Sequence, residues 1–244
     1  MAAELDWHAW HRQYDDPASS LSGRLAVVRE RLADRLRARA GAPTRLISMC
    51  AGDGRDTLPV LAAVAPQTTA LLVELDPALG AAARRTATDL ALRHVEVRCV
   101  DAGCSDAYAG GAAADLLLAC GVFGNLPDRD VAVTVAALPT LLAPGAVVIW
   151  TRGRGGVSAR SEDPEPSDAI RDLLRANDFE ELSFERPPVA LSCRGASVRR
   201  SARDVAPGAP LVPVRAGRDG VILRCAGRAE PRVGQDYPSP SDSR

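Results

Sequence analysis

Two glycines and a set of carboxylates stand at spacings that can hold a small ligand. In Arg45-Leu-Ile-Ser-Met-Cys-Ala-Gly-Asp-Gly-Arg-Asp56, Gly52 and Gly54 follow an apolar run and open a helical one, so a ligand can approach the bare backbone there. Glu74 lies 20 residues after Gly54, within a second apolar run, Ala70-Leu-Leu-Val-Glu-Leu-Asp-Pro77, where a carboxylate can accept ribose hydroxyls. A nucleoside ligand is implied. A pyrophosphate wants a third glycine and no negative charge nearby. This turn instead carries Asp53 and Asp56, with Thr57 at the third-glycine position. A ligand with a cationic centre and no phosphate fits better.

The scaffold for these groups is read from periodicity. Residues 45–49 and 70–74 read as buried strands, with a helix over 55–65 between them and another from Pro77 to about residue 92. Residues 95–100 alternate as a third strand, and 115–120 form a short apolar run typical of a parallel strand. A helix over 128–142 leads to a fifth strand at 146–150. A loop at 155–166 precedes a helix over 168–177 capped by Ser167, and a sixth strand spans 179–185. Upstream, Leu21, Leu25, Val28, Leu32 and Leu36 recur at helical spacing on a helix that should lie on the sheet. Before it, Trp7, His8, Trp10, His11 and Tyr14 cluster in one short segment, as either a packed cap or a lid.

With these motifs in this order, residues 45–185 resemble the class I S-adenosylmethionine-dependent methyltransferases. The resemblance implies an α/β fold: a Rossmann-like doubly wound sheet of about seven strands, mostly parallel with one antiparallel strand, under an N-terminal helical cap. It puts the antiparallel strand near 195–201, with 221–225 as the other candidate. The implied donor is S-adenosyl-L-methionine, held by Ala51, Gly52, Asp53, Gly54, Glu74 and Asp76. Asp101 and Ala102 would meet the adenine, and Cys120, Gly121 and Phe123 lie on the loop that carries the methyl-transfer site in the family. Ser48 stands where the family has an acid and Cys50 where it has its first glycine, so Asp53 either supplies the missing carboxylate or caps the next helix. Together with Tyr-Asp-Asp-Pro17 and Cys-Gly-Val-Phe-Gly-Asn125, the pattern looks like an actinobacterial-type subgroup whose substrates the resemblance does not reveal.

Composition bounds the rest. The chain has 244 residues, 46% hydrophobic, enough for one α/β core with extensions. We read residues 1–43 as the cap or lid, 44–201 as the catalytic core, and 202–244 as an extension with a mobile tail from 231. A formal net charge of −1 gives no pull toward nucleic acid or membrane, and every basic residue is Arg. The six cysteines include no C-x-x-C pair, which argues against a structural zinc and for a reduced, cytoplasmic setting; no metal is expected. No export signal or membrane span is read.

Methyl transfer from a sulfonium is an in-line displacement that a protein accelerates mainly by positioning. A base is needed only where the acceptor must lose a proton. Candidates for that work are His8, His11, Tyr14 and Asp16 on the lid and Asn125 after the fourth strand, of which we single out His11, Tyr14 and Asn125. Arg152 and Arg154 could hold an anionic acceptor. The stretch after the fourth strand lacks the Pro-Pro-aromatic motif of enzymes that methylate nucleobase amines, so the expected acceptor is a small organic molecule. Three alternatives stand beside this reading: a cofactor-binding protein of the same fold without catalysis, an RNA methyltransferase, and a nucleotide-dependent oxidoreductase.

Overall fold

Runs of Leu, Val and Ile with no intervening charge fold here into strands covered on both faces, as parallel strands require. A computed structural model describes residues 11–153, 166–185 and 193–200. In chain order the elements are α1 (Ser20–Ala38), β1 (Arg45–Met49), α2 (Leu58–Val64), β2 (Thr69–Glu74), α3 (Pro77–Asp89), β3 (Val95–Cys99), β4 (Ala114–Cys120), α4 (Asp128–Leu141), β5 (Leu142–Gly153), α5 (Pro166–Ala176), β6 (Phe179–Glu185) and β7 (Cys193–Arg200). A 3-10 turn at Gln13–Asp15 precedes α1.

The sheet order is β3-β2-β1-β4-β5-β7-β6. The first five of these strands pair in parallel. At the far side β7 runs antiparallel to both β5 and β6. Strand order reverses between β1 and β4, and the crevice beyond the carboxyl ends of such neighbours is where open α/β sheets bind ligands. The turns leaving β1 and β4 therefore face each other across it.

Strand parity divides the core into two layers. Ile47, Leu71, Val73, Leu117 and Val148 join Trp150, Val135 and Ile170 on one face. Leu46, Leu72, Leu116 and Leu118 meet Val28, Leu32 and Leu61 on the other. α1 is N-capped by Ser19, whose side chain accepts the Ser22 amide at 3.1 Å.

Several boundaries differ from the sequence reading. The first helix after the glycines begins at Leu58, not Arg55, because the chain turns through left-handed Gly54 (φ +74°) and is still closing that turn at Thr57. Asp53 is therefore not that helix's cap. β5 extends to twelve residues, because Leu142 pairs with Ala114 across an irregularity that Gly145 (φ +77°) accommodates. Ser167 sits inside the first turn of α5 instead of capping it. On α1, Arg24 takes a buried position while Leu25 is only partly covered. Trp7, His8, Trp10, the loop at 155–165, Arg154, the alternative strand at 221–225 and the extension at 202–244 lie outside the described residues. Among the described residues no helix is long and apolar enough to cross a membrane, and no cluster of His, Cys, Asp and Glu could hold a metal.

Gly54 shows how tightly α2 sits on the sheet. A Cβ there would lie 2.6 Å from Leu58 Cδ1 and 3.1 Å from Leu72 Cδ2. Gly54→Ala should cost about 1–3 kcal/mol in urea unfolding through overpacking and backbone strain. Gly41→Ala, at φ +82° but with nothing within 4 Å, should lose only the backbone part.

Candidate functional site

The turn after β1 is shaped by backbone conformation before any side chain enters. Cys50 and Gly52 both have left-handed φ, +48° and +57°. A glycine would take the first without strain, and the cysteine there holds a conformation that L-residues adopt at a cost of about 1–2 kcal/mol. Ala51 N donates to Val73 O at 2.9 Å, which registers the turn on β2.

Glu74 then ties two turns together. Its Oε2 accepts the Gly52 amide at 2.7 Å and its Oε1 accepts the Asp76 amide at 2.9 Å. The residue is 8% exposed, and it borders the crevice. A carboxylate has about four lone-pair sites, so two remain for a ligand's hydroxyls. Asp76 N-caps α3, accepting the Ala78 and Leu79 amides at 2.7 and 3.0 Å.

The crevice is a cavity of about 400 Å³, within the usual range for small-molecule sites. Leu75, Pro77, Leu79 and Ala102 give it an apolar wall, and Asp53, Asp56, Glu74 and Asp76 line it with carboxylates. His11, Tyr14 and Leu25 come from the N-terminal elements, while Cys120, Gly121 and Asn125 come from the β4 exit. There, Gly121 N donates to Thr151 Oγ1 at 2.9 Å and Asn125 Nδ2 donates to Gly121 O at 2.6 Å, so the turn is held from both sides.

Arg55 fastens the N-terminal segment to the glycine turn. Its guanidinium meets both Asp53 oxygens at 2.6 to 2.9 Å, reaches Asp15 at 3.4 Å, and lies 4.9 Å from the centre of the Tyr14 ring. Arg24 donates to the Tyr14 hydroxyl from the other side. His11 packs against the turn so closely that a Cβ on Gly52 would lie 2.7 Å from its Cε1.

These contacts set the acidities. Burial opposes ionisation of Asp53, but the Arg55 hydrogen bonds outweigh it and hold Asp53 below the usual carboxylate range. Asp56 lacks such a partner, and burial pushes it up, only partly offset by the Thr57 hydroxyl and Arg24. Burial also raises Tyr14 despite Arg24, so at neutral pH it is a phenol and a hydrogen-bond donor rather than a base. The Cys50 thiol is pushed up to about 12 by burial and by Glu74 and Asp101, and burial beside Asp56 raises Cys120 as well.

Ala51, Gly52, Asp53, Glu74, Asp76, Ala102, Cys120, Gly121, His11, Tyr14 and Asn125 thus converge on one cavity. Four of the described residues singled out for the site do not line it, and neither does the base candidate Asp16, which is exposed. Gly54 is needed for packing against Leu58 and Leu72. Phe123 is fully buried edge-on to Trp150 in the core. Asp101 turns its carboxylate back to the Gly103 amide at 2.9 Å. Arg152 lies on β5, away from the cavity wall. Sequence reasoning left Asp56, Arg55 and the buried Arg24 out of the site; an Arg on the buried stripe of α1 was the available signal for the last.

No protein-family model matches the sequence, and no curated protein does. Solved structures do. Magnesium protoporphyrin IX methyltransferase ChlM from Synechocystis PCC 6803, with bound S-adenosylmethionine, superimposes at TM-score 0.62 with 16% identity, over 80% of this chain and 91% of that one. The CurJ carbon methyltransferase gives TM-score 0.62 at 17% identity, over 80% of this chain and 58% of that one. The [4+2]-cyclase SpnF gives 0.53 at 18%, over 71% and 82%. The fold is that of the class I methyltransferases. At these identities the resemblance is one of architecture, and the same architecture serves a cyclase.

The two cavity thiols offer a check on the electrostatics. Thiolate, not thiol, is the nucleophile. Iodoacetamide at pH 8 should modify Cys50 and Cys120 at least about tenfold more slowly than glutathione, read by peptide mapping, with the rate rising toward pH 11 as the thiols ionise.

Proposed function

We propose that this protein binds S-adenosyl-L-methionine in the β1–β2–β4 crevice and transfers its methyl group to a small organic acceptor. The observation that carries the reading is the Glu74 carboxylate, buried at the end of β2 beside a glycine turn and holding lone pairs for a ribose. The residues fit the donor: an apolar wall from Leu75 to Leu79 suits a nucleobase, and a rim of carboxylates without a phosphate cradle suits a cation. When bound, the donor supplies an activated methyl on a sulfonium. The chain's own part is to orient and to exclude water. Glu74 would fix the ribose, His11 and Tyr14 would roof the cavity as a lid, and Gly121 and Asn125 would border the path to the acceptor. Tyr14 and Asn125 would hold the acceptor's polar atoms, and the raised Tyr14 hydroxyl serves as a donor there. The fold's architectural kinship with ChlM and CurJ supports methyl transfer.

Calorimetry with S-adenosylhomocysteine and with NAD tests the reading directly. Binding of the first and not the second is expected, and NAD binding alone would replace methyl transfer with redox chemistry. Glu74→Gln should weaken S-adenosylhomocysteine about tenfold or more, since hydrogen bonds to a charged group contribute about 1.5–3 kcal/mol. Unchanged affinity would put the ribose elsewhere.

A further inference from the structure

The carboxylates around the cavity are not equivalent. Glu74 is engaged by two backbone amides, Asp76 by the α3 N-terminus, and Asp53 by a two-pronged Arg55 contact. Asp56 differs. Thr57 Oγ1 donates to its carboxylate at 2.9 Å, its own backbone amide adds a second contact and the Arg24 charge also bears on it, but no two-pronged partner like that of Asp53 holds it, and it lines the cavity beside Tyr14 and Cys120. A part-buried carboxylate with this little support is completed by a cation. Burial raises its pKa despite Thr57 and Arg24, and a bound cation would offset that burial.

We propose that Asp56 is the ligand's ammonium-binding group, taking the α-amino group of the donor's amino-acid end. This rests on the reading of the crevice as a donor site. It also resolves a departure in the sequence. Ser48, at the position where the resembled family has an acid, is 1% exposed in β1 and does not line the cavity. Asp53, the nearer substitute, is already paired with Arg55. Asp56 approaches from the far side of the glycine turn, so the donor's amino-acid end would run from Gly52 toward the β4 exit, beneath Tyr14.

The test compares two probes by calorimetry at pH 7.5: S-adenosylhomocysteine and its desamino analogue, identical but for the α-amine. The wild-type protein should prefer the amine by at least tenfold. Asp56→Asn keeps the shape and the Thr57 hydrogen bond, and it should reduce that preference to within about twofold while leaving the desamino affinity unchanged. Asp56→Ser should do the same, and Asp53→Asn should retain the preference. A preference kept in both Asp56 variants overturns the assignment, as does a collapse caused by Asp53→Asn instead. Equal loss of both probes in both Asp56 variants also overturns it, because the residue would then be supporting the cavity. If the wild type binds neither probe, the donor reading itself fails.

Discussion

One buried carboxylate ties the turns at the carboxyl end of this sheet together. Glu74 bridges the turn that leaves β1 and the turn that leaves β2, and each turn then sets the direction of the helix after it. The Gly52 amide finds a fixed acceptor in Glu74, which adds to the Ala51–Val73 hydrogen bond in holding a left-handed turn that contains a strained cysteine. The burial of Glu74 would be costly if its charge were not answered by donors. Two backbone N–H groups answer it, and lone pairs are left over on the group that shapes the turns.

Around that clasp the charges are sorted by what neutralises them. Arg55 pairs with Asp53, the α3 N-terminus takes up Asp76, and burial raises Asp56 above the usual carboxylate range. A crevice lined with four acids would repel a phosphate at any of them. The cavity is selective against polyanions before any shape is considered.

Much of this was legible in residue order. The apolar runs at 45–49, 70–74 and 115–120 declared parallel strands, and the glycine turn followed by an acid at strand end declared the crevice. What could not be read was which side chains turn inward once the chain has curved. Gly54 and Phe123 stand within the right motifs but face the packing, because φ at one position and the turn after β4 at the other rotate them away. Asp101 sits at the expected strand end, yet its own turn claims it. Conversely, Arg24 was hidden in a stripe of leucines, and its role depends on Tyr14 arriving from ten residues upstream, a contact that helical periodicity does not encode. Boundaries failed where a left-handed glycine redirected the backbone, at 54 and at 145.

The Arg55 fastening is built from contacts of unequal strength. It joins the N-terminal segment to the glycine turn through charges of unequal shelter: Asp53 is 19% exposed, Arg55 25% and Asp15 72%. Mobile ions weaken an exposed pair far more than a sheltered one. Raising ionic strength would therefore release the Asp15 strand of the fastening first, leaving the Arg55 guanidinium on Asp53 and on the Tyr14 ring. The link between the N-terminal segment and the glycine turn would then rest on Asp53 and Tyr14, so its strength varies with salt.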